Sequence, residues 1–154
     1  MWRMVQRAVV LTLAGAVLGL VANAVSPRGI PYRTPPKVVA PPGDYIPFAE
    51  ARQLWEEGVA VFLDARSHAD YMAGHIANAF SLPTDEFEAR YPEVAGMLAP
   101  DSPIVAYCDG ADCDLSHHLA KRLRDLGFRD VRILKNGWTE WRKAALATST
   151  GAQP

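Results

Sequence analysis

Both cysteines of the chain lie in one short stretch, Ile104-Val105-Ala106-Tyr107-Cys108-Asp109-Gly110-Ala111-Asp112-Cys113-Asp114-Leu115-Ser116. An apolar run ends in Cys108, a small Gly-containing turn follows, and a helical pattern begins. That order predicts a thiol at the tip of a buried strand, facing the first turn of a helix. Backbone N–H groups and the helix dipole at such a point favour an anion, and so thiolate over thiol. Thiolate is the nucleophilic form, and helix N-termini lower cysteine pKa. The chemistry on offer is nucleophilic attack by sulfur, with Cys108 as the first candidate. The C-x-x-x-x-C spacing within one curled loop brings a second sulfur within disulfide range. Cys113 then reads as a resolving thiol. The bland alternatives are half of a passive disulfide or an inert buried cysteine, and Cys113 stays open as the principal nucleophile, since it lies nearer the helix start.

The rest of the loop is acidic. Asp109, Asp112 and Asp114 accompany the cysteines, and no basic residue does. At an effective dielectric near 20, one like-charge pair ~8 Å apart costs about 2 kcal/mol, so a dianionic ligand is repelled. The same carboxylates oppose ionisation of Cys108. His117 and His118 follow, and with the loop's Cys and Asp they make a soft ligand set of the kind that suits zinc or copper. Adjacent histidines diverge by about 100° on a helix, so one alone can face the loop. No metal and no cofactor is assigned, and the pair reads as a solvated helix start.

The elements that must position this loop follow from periodicity. Phe48 to Glu57 has apolar residues at helical spacing, with Gly58 as a stop. Val59 to Asp64 is a continuous apolar run, the mark of a buried parallel strand. His68 to Ala73 fits a short helix ended by Gly74, and Phe80 to Leu82 a short strand. Thr84 or Asp85 is expected to cap a helix towards Arg90, with a further turn or two from Pro92 to Leu98. Pro103 to Tyr107 is the next strand. Asp114 or Ser116 is expected to cap a helix carrying Leu115, Leu119, Leu123 and Leu126 on one face, ended by Gly127. Val131 to Leu134 is the last strand and Gly137 to Ala147 the last helix. Alternating strands and helices imply an α/β domain, a parallel sheet covered on both faces. Sites in such sheets lie at the carboxyl ends of strands, where Cys108 sits.

Ahead of this domain, residues 1–25 read as a signal-anchor or signal peptide. Arg3 and Arg7 precede Ala8 to Val25, which holds no charge. Eighteen residues at about 1.5 Å each reach roughly 27 Å, enough to span a hydrocarbon core. Ala22-Asn23-Ala24 offers a cleavage site, but the run exceeds a usual signal h-region, which favours a retained anchor. Either way the domain is expected outside the cytoplasm, on the periplasmic side or secreted to it. Residues 26–44 are a Pro-rich linker, semi-rigid and extended. The domain is expected over 45–147 and a disordered tail over 148–154. A formal net charge of −1 gives no reason to expect nucleic acid as a partner.

Asp64-Ala65-Arg66-Ser67-His68-Ala69-Asp70-Tyr71-Met72-Ala73-Gly74-His75-Ile76-Ala77-Asn78-Ala79 resembles the first signature of rhodanese-like domains. Asn136-Gly137-Trp138-Thr139-Glu140-Trp141 resembles the closing signature. Between them Cys108 follows the strand where that family carries its catalytic cysteine. The resemblance covers Tyr45 to Ala147. It implies a three-layer rhodanese-like domain and sulfurtransferase chemistry. Cys108 takes sulfane sulfur from a small donor or a persulfide-bearing protein and hands it, as a persulfide, to a thiol or other nucleophile. The loop Asp109, Gly110, Ala111, Asp112 and Asp114 would cradle the anionic persulfide with its N–H groups. Family loops commonly carry a basic residue; its absence here makes thiosulfate a poor donor. The loop is also long, yet lacks the closing Arg of related phosphatases, which argues against phosphoryl transfer. Asp64 and Arg66 read as a structural pair that supports the loop, His75 as a local turn-fixing residue, Trp138 and Trp141 as core or rim aromatics, and Tyr107 as buried in the sheet. Two other functions stay open: a thiol–disulfide or sulfur-relay module using both cysteines, and a non-catalytic binding domain.

Overall fold

The computed structural model describes residues 2–25, 44–110 and 114–152. They belong to two compact units, Met1–Lys37 and Val38–Pro154. The first is helix α1 (Trp2–Val25). Arg3, Gln6 and Arg7 stand exposed on its first turns. Among the described residues no helix is long and apolar enough to cross a membrane. Several apolar side chains of α1, and linker residues 26–43, lie outside the described residues.

In the second unit the long apolar runs become strands because they are buried on both sides, and the half-buried Phe80–Ser81 joins them at one edge. β1 (Val61–Asp64), β3 (Phe80–Ser81), β4 (Ile104–Tyr107) and β5 (Val131–Leu134) form one parallel sheet in the order β3-β1-β4-β5. The register aligns Leu63 with Phe80 and Ala106, and Ala106 with Ile133. Successive side chains leave a strand on opposite faces. Phe62, Val105, Tyr107 and Leu134 enter one core with Ala51 of α2 (Phe48–Glu56) and Trp141 of α6 (Gly137–Lys143). Leu63, Ile104, Ala106, Cys108 and Ile133 enter the other, with Phe87 of α4 (Phe87–Val94) and Leu119 and Leu123 of α5 (Leu115–Asp125). The result is the expected parallel sheet between two helical layers. Trp141 anchors the first layer, edge-on to Phe48, Trp55 and Phe62.

Several local expectations need correction. The buried stripe of α5 runs through Ser116, Leu119, Ala120 and Leu123, so Leu115 and Leu126 fall at its edge, 38% and 55% exposed. Asp114 takes the N-cap position of α5 and Glu86 that of α4, neither with a side-chain cap bond, and Thr84 and Asp85 cap nothing. Pro92 lies inside α4, which runs on into a 3₁₀ turn at Ala95–Met97. Asp44 is no linker residue. Its carbonyl accepts the Ile133 amide at 2.7 Å, its carboxylate pairs with Arg124 at 2.6 Å, and Tyr45 bridges to Ile133 in parallel.

The tail is also ordered where it is described. Thr148–Ser149 form β6, antiparallel to β2 (His75–Ile76). The cause is an open strand edge at β2, which the tail satisfies. The Ala147 carbonyl accepts both the Ala77 amide at 3.2 Å and Trp141 Nε1 at 2.9 Å, and the Gly151 amide reaches the Met72 carbonyl at 2.9 Å.

Candidate active site

Cys108 follows the last residue of β4, and strand alternation turns its side chain to the α5 side of the sheet. It is 1% exposed, as is Ser116 in the first turn of α5, and Cys108 Sγ lies 3.3 Å from Ser116 Oγ. Cys108 is disulfide-bonded, so the Ser116 hydroxyl is the donor in that contact. The sequence holds one other cysteine, Cys113. Cys113, Ala111 and Asp112 lie outside the described residues, and the roles expected of them are not placed by the structure. The Cys108 carbonyl accepts the Trp138 amide at 3.3 Å, tying the base of the loop to the start of α6.

The described part of the loop differs from a free cradle of N–H groups. Gly110 has φ +83°, a left-handed conformation natural to glycine. Its amide donates to Asp109 Oδ1 at 2.9 Å and to Asn136 Oδ1 at 3.0 Å, so it is already committed. Thr139 Oγ1 donates to the same Asp109 oxygen. Asp109 is therefore tethered to α6. Asp114 Oδ1 is buried without a hydrogen-bond partner among the described residues, 3.8 Å from His117 Nδ1. His117 is not a solvated helix-start residue. It is 8% exposed, its Nε2 lies 3.0 Å from the Tyr45 hydroxyl, and the two rings meet edge-on. Among the described residues no cluster of His, Cys, Asp or Glu is arranged to hold a metal ion.

Beside the loop, at the end of β1, Asp64 and Arg66 form a buried pair. Arg66 Nη2 meets Asp64 Oδ2 at 2.6 Å, and Arg66 Nε and its backbone amide each reach Oδ1 at 3.0 Å. Nη2 also donates to the Gly74 carbonyl at 2.7 Å, and the guanidinium stacks 4.6 Å from the Trp138 ring. Burial works against the charge of Arg66, but the bonds and field of Asp64 outweigh it and raise the guanidinium pKa. The Tyr107 hydroxyl accepts the Ile76 amide at 3.2 Å and bonds to Asp64. Burial, then the Asp64 charge, holds the Tyr107 pKa well above the usual phenol value. The same two causes push Tyr71 up to about 12. His75 sits in β2, its Nδ1 2.8 Å from the Tyr71 carbonyl and its ring stacked on Tyr71.

Three residues of this region escaped the sequence reading as site residues: Ser116, Asn136 and Thr139. Ser116 looked like a cap, and its 3.3 Å approach to sulfur depends on a turn of unknown shape. The Asn136-Gly137 pair did carry a signal. Asn136 is left-handed at φ 53°, and a Cβ on Gly137 would lie 2.8 Å from Tyr107 Cβ. That close approach holds α6 against the end of β4.

Comparison with known proteins agrees with this architecture. A family model described as a rhodanese-like domain matches residues 48–144. An HTH-type transcriptional regulator of Mycobacterium tuberculosis is 39% identical over 115 residues, 75% of this chain and 49% of that protein. A tRNA uridine(34) hydroxylase of Cronobacter sakazakii is 33% identical over 106 residues, 67% of this chain and 30% of that protein. The solved structure of a thiosulfate sulfurtransferase from Pseudomonas aeruginosa superposes with a TM-score of 0.56 at 25% identity, covering 71% of this chain and 20% of that one. The chain thus spans about half or less of the length of these relatives.

Proposed function

The chain belongs to the rhodanese-like domain family, and on that premise we propose that it carries sulfane sulfur as a Cys108 persulfide between a donor and a thiol or other nucleophile. The observation that carries this reading is the placement of Cys108 Sγ at the carboxyl end of β4, 3.3 Å from the Ser116 hydroxyl in the first turn of α5. A hydroxyl donor and helix amides at that point stabilise an anion on sulfur. The reduced Cys108 thiolate attacks the outer sulfur of the donor. An S–S bond forms at Cys108, the donor's own bond to that sulfur breaks, and its electron pair leaves with the donor. Loading requires prior reduction of the disulfide at Cys108 by a dithiol, which is itself oxidised to a disulfide. Mass spectrometry of reduced protein offered donors tests the reading. A gain of one sulfur on the Cys108 peptide is expected, abolished by Cys108→Ser and altered only in lifetime by Cys113→Ser. No gain with any donor overturns it.

The oxidised state of Cys108 favours a second reading, a thiol–disulfide or sulfur-relay module using Cys108 and Cys113. A bridge with a reduction potential more negative than about −300 mV, resistant to cellular dithiols, would leave it as a structural disulfide. The acidic Asp109, Asp112 and Asp114 support a persulfide or a monoanionic donor over thiosulfate. The uncharged run Ala8–Val25 behind Arg3 and Arg7 supports a membrane tether holding the domain outside the cytoplasm. Retention in the membrane fraction after a carbonate wash is expected; recovery wholly in the soluble fraction removes the tether.

A further inference from the structure

His117 is buried in the first turn of α5, next to Ser116, and the reaction proposed above makes no use of it. What holds it comes from the start of the domain. The Asp44 carbonyl accepts the Ile133 amide at 2.7 Å and the Ile46 amide donates to the Ile133 carbonyl at 3.0 Å, so Tyr45 is fixed from both sides along β5. From there its hydroxyl reaches His117 Nε2 at 3.0 Å. The neighbouring Asp44 carboxylate grips Arg124 at 2.6 Å, about two turns further along the same helix. Two consecutive residues thus clasp α5 at its first and its last turn.

Electrostatics give the direction of the His117 bond. Nδ1 faces Asp114 Oδ1 at 3.8 Å, and that oxygen is buried without a hydrogen-bond partner among the described residues. A lone pair on Nδ1 would repel the carboxylate, whereas an N–H there is attracted to it. Neutral His117 therefore carries its proton on Nδ1 and accepts the Tyr45 hydroxyl at Nε2. Tyr45 in this way turns an N–H dipole toward the acid at the N-cap of α5, offsetting part of the field that opposes an anion on Cys108. Ser116 leaves the helix about 100° away from His117. The bond that fixes His117 therefore also fixes the Ser116 hydroxyl, 3.3 Å from Cys108 Sγ.

We propose that His117 is a positioning residue for Cys108: held by Tyr45, it sets the first turn of α5 so that the Ser116 hydroxyl and the helix amides face the sulfur while the field of Asp114 is partly offset. Its benefit to sulfur loading rests on the persulfide reading above; its hold on the ionisation of Cys108 does not. The titratable groups that bear on this chain are Tyr45 from the entry segment, Asp114 from the N-cap and Asp109 from the end of β4.

The test uses reduced full-length protein carrying Cys113→Ser, in which Cys108 is the one remaining thiol. The ultraviolet absorbance of thiolate gives its ionisation midpoint. Tyr45→Phe, which removes only a hydroxyl, and His117→Leu are each expected to raise that midpoint by about one pH unit. His117→Gln, whose amide oxygen can accept from Tyr45, is expected to keep most of the parent value. Attack on hydroxyethyl disulfide, a neutral probe, separates positioning from damage. One pKa unit cuts the thiolate fraction about tenfold at low pH but raises intrinsic nucleophilicity about threefold. Tyr45→Phe should therefore react about threefold more slowly than the parent below both midpoints, and about threefold faster above them. Unchanged midpoints in Tyr45→Phe and His117→Leu, or slower reaction at every pH, overturn the proposal. A raised midpoint with crossing rates, in a protein whose parent takes up no sulfur from any donor, overturns the persulfide reading and leaves the positioning role standing.

Discussion

Strands β1 and β4 run side by side with Asp64 aligned to Tyr107, yet their carboxyl ends are built on opposite terms. At the end of β1 a fully buried carboxylate receives a guanidinium in two-pronged fashion, a backbone amide and a tyrosine hydroxyl. At the end of β4 the acids rest on neutral donors or on a distant imidazole: Asp109 on Thr139 and Gly110, Asp114 on His117 at 3.8 Å. The first end is a fixed frame with every charge matched. The second leaves charge loosely compensated around a sulfur atom. Rigidity and adjustability thus sit side by side at one edge of a single sheet. The largest effect should come from breaking the frame. Arg66→Ala strands Asp64 as an uncompensated buried charge, and loss of one partner of such a pair costs about 3–5 kcal/mol. Urea unfolding measures this directly. A loss under about 1 kcal/mol would show that the two ends do not differ as described.

A smaller effect comes from the tyrosines packed against that frame. Tyr107 and Tyr71 are buried and neutral, both with pKa values raised by burial and by the Asp64 charge, Tyr71 to about 12. A raised acid pKa means that above pH 10 the unfolded chain releases protons that the folded chain keeps. The stabilisation is complete below pH 10 and is lost as pH climbs through 12. Each buried tyrosine then removes up to about 1.4 kcal/mol per pH unit in that window. Denaturant midpoints taken from pH 9 to 12 should fall steeply in the parent protein and less steeply in Tyr107→Phe. An unchanged slope in Tyr107→Phe would remove that residue from the β1 frame.

This asymmetry was only half legible in the sequence. The long apolar runs at Val61–Asp64, Ile104–Tyr107 and Val131–Leu134 announce buried parallel strands, because burial on both faces leaves no room for alternation. The helical stripes at Phe48 and Leu119 are equally plain. The two-residue strands β2 and β6 carry no period at all, so Thr148 and Ser149 read as a loose tail in the sequence although they close a second small sheet. Leu115 and Leu126 satisfy the spacing rule but fall at the two ends of α5, outside its buried stripe. His117 reads as a surface residue until Tyr45, 72 positions away, covers it. Charge matching of this kind depends on long-range contacts: the Asp64–Arg66 pair is local in sequence, but Trp138 and Tyr107 complete it from other elements.

The smallest of the three effects probes the β4 end, where charge rather than fold should respond. Asp109→Asn keeps an oxygen able to accept from Thr139 and Gly110, so the tether to α6 survives and unfolding should shift by less than about 1 kcal/mol. What changes is the field at Cys108. One negative charge removed at ~8 Å from an incoming anion relieves about 2 kcal/mol per unit charge at an effective dielectric near 20, before screening by salt. Loading of reduced protein by the thiosulfate dianion should therefore quicken at least tenfold in Asp109→Asn at low ionic strength, and the gain should shrink as salt is raised. A neutral trisulfide donor should show little change in either protein. Thr139→Val supplies the complementary perturbation, since it frees Asp109 without altering its charge. If thiosulfate loading rises equally in Asp109→Asn and Thr139→Val, mobility of the loop and not repulsion sets the donor preference. If it rises in Asp109→Asn alone and vanishes at high salt, the acidic end of β4 is an electrostatic filter laid over a scaffold that the neighbouring strand holds fixed.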